Sequence, residues 1–309
     1  MNVYSITIFK IDVQYIQICF TFATVLKNKY LKLILRLILS VAAVLIIARK
    51  VDLHTAFEYL QRANPGLIFL SMISYAVSKI VAAFRIEALY KTQGLDLGRI
   101  QNIKLTFLAM FYNLFIPVVG GEGYKSFWIN KRHKTPIKSL VWAALLDRGS
   151  GLAWLAVTAV LIFQFCSFKF PFSEFSLILI PFILIAHYGI NRIFFKSFLP
   201  AWLSTGFYSF IIQSLQAVTA WLVVLALGVD ALQTEYVFVF MLASFAYIIP
   251  VAGAREMAFV FGSGTLGLDM EISLVIGILF YLALAISSLC GSWFVLFPSS
   301  LNKDKEGLK

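Results

Sequence analysis

Charge is scarce in this sequence. Only 13% of its 309 residues are Asp, Glu, Lys or Arg, roughly half the share carried by a soluble domain of this size. No hydrophilic stretch is long enough for a soluble catalytic domain. The three cysteines, Cys19, Cys166 and Cys290, are scattered through apolar runs, so no spacing suggests a metal set or a disulfide framework. His54, His133 and His187 are equally dispersed. No nucleotide-binding loop is recognisable, and no metal or cofactor is expected.

What the chain has instead is apolar length. Hydrophobic residues make up 61% of it, and the mean hydropathy is +0.87. Several runs reach the roughly 20 residues that a helix needs to cross a bilayer. A β-barrel would show short alternating segments. The fold class expected is all-α, a polytopic membrane helix bundle. The net charge of +11 would suggest nucleic acid in a soluble protein. Here the basic residues sit between apolar runs, as the positive-inside bias requires, and attraction to anionic headgroups is a second reading. No nucleic-acid partner is expected.

Residues 1–30 form an uncertain N-terminal segment, either interfacial or a gene-model extension with a true start near Val25. It lacks the pattern of a signal peptide. Residues 31–298 read as one transmembrane domain, and 299–309 as a basic cytoplasmic tail. Full spans are expected near 33–48, 66–86, 139–165, 175–190, 203–227 and 272–297. Two further apolar runs, about 105–119 and 236–267, are broken by "IPVVGGEGYK" (116–125) and "IPVAGARE" (249–256). Basic clusters flank the first run on both sides, while acidic residues without Lys or Arg flank the second. About six full spans plus two broken or re-entrant helical elements in inverted orientation result. Such inverted broken segments point to a binding site in transporter-like folds; ordinary Pro-Gly turns between short helices are the alternative.

The chemistry gathers at the breaks. Pro117 interrupts a helix, while Gly120, Gly121 and Gly123 let other groups approach the backbone. Free N–H groups before a new helix suit an anion. Lys125 adds a point charge and Tyr124 a hydroxyl, but Glu122 repels phosphate unless a cation covers it. Asn113 lies one turn before Pro117, placed to bond carbonyls that the proline frees. Arg255 and Glu256 lie inside the second break, and Asp147 and Arg148 inside the 139–165 run; ionisable groups at such depth pair or serve function. Helical neighbours point about 100° apart, so Arg255 and Glu256 are expected to find partners elsewhere: Asp147 or Glu122 for Arg255, and Arg148 for Glu256. Static ion pairs holding the bundle are the competing reading. Arg85 and Glu87 are expected at the membrane interface.

"FYNLFIPVVGGEGYKSFWINKR" (111–132), "LLDRGSGL" (145–152) and "IPVAGAREMAF" (249–259), taken in order, resemble three motifs of the lysylphosphatidylglycerol synthase transmembrane-region family, the flippase-like integral membrane proteins. The resemblance covers about residues 30–300. It departs from the family where Glu122 replaces the usual Asp and Lys125 the usual Arg, which loses bidentate phosphate geometry. The Pro250-to-Arg255 interval is also shorter. The resemblance implies a membrane module that, in two-domain relatives, moves an aminoacylated phospholipid between leaflets after a separate soluble domain has made it. Aminoacyl transfer is therefore not expected of these residues.

The leading expectation is a lipid flippase or transporter of the plasma membrane, multi-pass, with its C-terminus cytoplasmic. Its partner would be a membrane lipid, either a phospholipid or a polyprenyl-phosphate-linked sugar, moved passively or by ion coupling. The candidate substrate-binding residues are those named above: Asn113, Gly120, Gly121, Glu122, Tyr124, Lys125, Asp147, Arg148, Arg255 and Glu256. Two rival classes remain open. One is a membrane-embedded transferase acting on a lipid-linked donor, with Glu122, Asp147 or Glu256 as base. The other is an accessory subunit of a lipid or glycan synthesis complex. A homo-oligomer or a synthase partner is also left open.

Overall fold

A computed structural model describes residues 51–115, 120–167, 173–248 and 253–301. The expected span at 33–48, the segment 1–30, Pro117, Pro250 and the tail beyond Leu301 lie outside the described residues. Within them the chain is helical, without strands. The helices are α1 (Leu53–Arg62), α2 (Pro65–Lys91), α3 (Arg99–Phe115), α4 (Gly120–His133), α5 (Ile137–Phe163), α6 (Leu179–Phe194), α7 (Trp202–Ala226), α8 (Gln233–Ala243), α9 (Ala254–Thr265), α10 (Met270–Leu289) and α11 (Ser292–Leu296). Short 3₁₀ turns lead into α6 and α7 and follow α8.

Five segments are long and apolar enough to cross a membrane: Pro65–Lys91, Ile137–Phe163, Phe175–Phe194, Lys196–Ala226 and Met270–Leu296. They coincide with five of the six expected full spans. Outward-facing side chains such as Phe182, Ile185, Leu203 and Phe207 are more than half exposed, as lipid-facing positions are. The segment leading into α2 holds the short helix α1. Asp52 caps it by accepting from the His54 and Thr55 N–H groups, and such a cap is worth about 1 kcal/mol.

α2 and α7 form the central pair, and they run antiparallel. The Asn64 N–H donates to the Ala226 carbonyl (2.7 Å) at one end. The Ser74 hydroxyl donates to the Leu215 carbonyl (3.0 Å) near the middle. Arg85 Nη1 donates to Ser209 Oγ (3.0 Å) toward the other end. Sequence explains the closeness: Ser71, Ser74 and Ser78 face inward from α2, and Thr205, Gly206 and Ser209 from α7. Small residues let helix backbones approach where lipid supplies no hydrophobic drive.

Both broken elements are antiparallel helical hairpins. In the first, α3 against α4, the Tyr112 and Tyr124 rings lie 4.5 Å apart, and Lys125 reaches back to Thr106. In the second, α8 against α9, Phe240 meets Phe259 edge-on at 5.3 Å. The hairpins root at opposite ends of the α2–α7 pair. α3 begins beside the end of α2, where Asn102 Nδ2 donates to the Ala83 carbonyl and Arg99 lies over the Phe84 ring. α8 instead follows the end of α7 that bonds Asn64.

Candidate functional site

The tip of the first hairpin is set by two residues. A Cβ at Gly121 would sit 2.0 Å from the Ala109 carbonyl oxygen, so only glycine lets α4 lie against the α3 backbone. Asn113 Oδ1 accepts from the Gly121 N–H at 2.9 Å. The Asn113 oxygen thus serves an orphan donor at the start of α4. α3 is gripped from its other flank too, since a Cβ at Gly291 would sit 2.2 Å from the Phe107 carbonyl oxygen.

Lys125 points into this fold of backbone and is 3% exposed. Its Nζ donates to Thr106 Oγ1 at 3.3 Å and lies 5.4 Å from the Tyr90 ring centre. No carboxylate among the described residues stands within ion-pair distance of it, although Glu122 and Asp147 lie within electrostatic reach. Gly120 and Glu122 occupy the first turn of α4, both half-buried, and Tyr124 packs on Tyr112.

Asp147, on α5, does not meet Arg255. It takes Arg85 of α2 in a two-pronged pair, with Nε to Oδ1 at 2.7 Å and Nη2 to Oδ2 at 2.9 Å. One turn on, a Cβ at Gly151 would sit 3.2 Å from Arg85 Nη1. Asp147 and Gly151 thus share one face of α5: the acid binds the guanidinium and the glycine makes room for it. Arg85 is accordingly buried inside the bundle. So is Glu87, which accepts from Lys91 Nζ at 2.7 Å. The choice of helix face, more than depth along the helix, decides these positions.

Arg255 and Glu256 pair with each other, against the sequence expectation. Arg255 Nε and Nη2 reach Glu256 Oε1 at 3.1 and 2.5 Å. Both side chains are long enough to curl across the angle between adjacent helical positions, which constrains Cβ directions and not terminal atoms. The pair opens α9, which Gly253 starts from a left-handed φ of +84°. The guanidinium lies against the contacting Phe240 and Phe280 rings, 5.3 and 4.9 Å from their centres, a favourable cation–π setting. Glu256 packs against Gly277 of α10. No Arg148–Glu256 pair forms, and Arg148 sits on the exposed face of α5.

Sequence reasoning passed over Lys79. It lies midway along α2, with Nζ 4.5 Å from the Tyr75 ring centre. Tyr75 meets Phe280 edge-on, which links Lys79 through rings to Arg255. Lys79 is within electrostatic reach of Asp147, Arg85 and Arg255. Its signal was present: one lysine deep in a 27-residue apolar helix is a functional position by default. Asp147 is therefore within electrostatic reach of two lysines that have no carboxylate at ion-pair distance among the described residues, while Arg85 and Arg255 are paired.

A second buried polar pair lies where α5 meets α6. Ser150 Oγ is 3.2 Å from His187 Nε2. Among the described residues His187 Nδ1 has no partner, and Asn191 bonds the His187 backbone carbonyl, not its ring. The pair lacks the third group that would orient the imidazole as a base. Among the described residues no group of three His, Cys, Asp or Glu side chains is disposed to hold a metal.

Comparison with known proteins agrees with this architecture. A UPF0104 membrane protein of Pyrococcus horikoshii is 25% identical over 146 residues, 46% of this chain and 42% of the relative, so the match spans less than half of that protein. No solved structure matches. The lysylphosphatidylglycerol synthase transmembrane region matches residues 33–199, which takes in the first hairpin, Lys79 and the Arg85–Asp147 pair but stops short of Arg255. Over that half of its length the sequence carries the family's pattern, and the chain belongs to the lysylphosphatidylglycerol synthase transmembrane-region family of integral membrane proteins.

Proposed function

We propose that this protein is a lipid flippase or transporter, holding the phosphate of a phospholipid or of a polyprenyl-phosphate-linked sugar between its hairpins. The observation that carries the reading is the unequal pairing of interior cations. Arg85 and Arg255 have carboxylates; Lys125, buried, and Lys79, half-buried, have none within ion-pair distance among the described residues. A cation desolvated without a partner is costly, and an anionic headgroup would offset that cost. In this reading Gly120 and Gly121 open the backbone, while Glu122, Asn113 and Tyr124 shape the tip. Asp147 and Glu256 hold the arginines in place, and Arg148 meets lipid from the exposed face of α5. The basic connections after α2 and α4 support a cytoplasmic location for that end, and for the C-terminus, by the positive-inside bias, in a protein of the plasma membrane.

Reconstituted protein tests this. Labelled phosphatidylglycerol and a labelled polyprenyl-phosphate sugar are followed across the bilayer of liposomes. Movement of either above protein-free vesicles, lost in Lys125→Met, supports transport. A new lipid product detected by mass spectrometry, without movement, would replace it with a transferase. A stoichiometric partner required for any activity would replace it with an accessory role.

A further inference from the structure

A second polar recess lies away from the hairpin tips, at the end of the bundle where α2 finishes and α3 and α7 begin. Its volume is about 330 Å³, and Phe84, Glu87, Lys91, Arg99, Ser204 and Tyr208 line it with Ala88. Two basic side chains face one acid. Glu87, whose side chain is 7% exposed, is covered by Lys91 Nζ at 2.7 Å. Arg99 sits over the Phe84 ring, 5.9 Å from its centre, and Phe84 in turn packs on Tyr208 at 6.3 Å. The recess carries one net positive charge, with the Ser204 and Tyr208 hydroxyls beside it. On α7 the neighbours of those hydroxyls are Leu203, 74% exposed, and Phe207, 63% exposed. A polar recess thus borders an outward apolar face, with basic chains at its mouth.

We infer that this recess binds a singly charged phosphate group, supplied by an anionic phospholipid whose acyl chains lie along Leu203 and Phe207. Arg99 and Lys91 meet the phosphate, and Ser204 and Tyr208 donate to its oxygens or to the headgroup hydroxyls. Glu87 holds Lys91 in position and limits the site to one negative charge. The site stands apart from the proposed translocation path, because it shares no residue with the hairpin tips.

The test uses the full chain in phosphatidylcholine vesicles containing a phosphatidylglycerol probe with a photoactivatable group on its headgroup. Crosslinked peptides are then mapped. Labelling is expected on 84–99 and 204–208, and an equivalent phosphatidylcholine probe should label them weakly. Each basic residue near an anionic membrane surface is worth about 1 kcal/mol, or roughly fivefold in affinity, so Lys91→Gln and Arg99→Gln should each lower labelling about fivefold. Tyr208→Phe should lower it less. Arg99 and Lys91 are exposed, so these variants fold, and gel filtration checks it. Lys125→Met leaves this labelling unchanged even if it stops lipid movement, which separates this site from the transport reading. Failure of soluble inorganic phosphate to compete identifies the ligand as lipid-borne; full competition assigns the same site to free phosphate. Absent labelling at these segments, equal labelling by the two probes, or unchanged labelling in the Lys91→Gln/Arg99→Gln double variant overturns the proposal.

Discussion

The two hairpins share one plan and solve opposite electrostatic problems. Each is a pair of short antiparallel helices, and each places a basic residue just inside its second helix. In the second hairpin Arg255 is buried, paired with Glu256 and packed on the Phe240 and Phe280 rings. In the first, Lys125 meets a hydroxyl and a ring, with no carboxylate at ion-pair distance among the described residues. The difference separates structure from function. A satisfied buried pair is accounted for by structure alone, whereas a desolvated lysine with no acid at ion-pair distance among the described residues adds little to stability and is better explained by what it binds.

That contrast can be attacked through stability first. Arg255→Ala would leave Glu256 facing the interior alone. Breaking such a buried pair costs about 3–5 kcal/mol, so thermal unfolding in detergent should shift far down. A double change to Met and Gln should recover much of the loss. If Arg255→Ala were neutral, the second hairpin would not be a sealed structural element.

Gly121→Ala comes next. Its new methyl would overlap the Ala109 carbonyl, backbone that cannot move aside, and overpacking of this kind costs roughly 1–3 kcal/mol. Gly277→Ala is the control, because its methyl would meet only the Glu256 side chain at 3.3 Å. It should change the unfolding temperature little. Equal effects would remove the case for backbone contact in the first hairpin. Asn113→Ala, which frees the Gly121 N–H, should cost about 1 kcal/mol, read as faster hydrogen exchange at the start of α4.

Much of the fold was legible because membrane spans announce themselves by length. Five described spans fell where continuous apolar runs predicted them, and the hairpins fell where Pro and Gly interrupted such runs. The pairing of charges was not legible. Arg85 and Asp147 are 62 positions apart, and nothing local to either residue names the other. Gly151, one turn beyond Asp147, was visible as a family motif, but its purpose appears only when the Arg85 guanidinium lies against it. Arg255 and Glu256 misled in the reverse sense, since a rule about helical directions does not bind the ends of long side chains. Lys79 needed no structure at all: a single charge near the centre of α2 was itself the signal, set among Tyr75 and other apolar neighbours that made the run look like plain membrane anchor.

The most direct test of the central claim compares stability and lipid movement in one protein, the Lys79→Met/Lys125→Met double variant. Removing two cations that lack acid partners among the described residues should leave the unfolding temperature unchanged or raised, while transbilayer movement of labelled phosphatidylglycerol falls to the level of protein-free liposomes. A variant that unfolds, or one that folds and still moves lipid at the wild-type rate, would contradict the account.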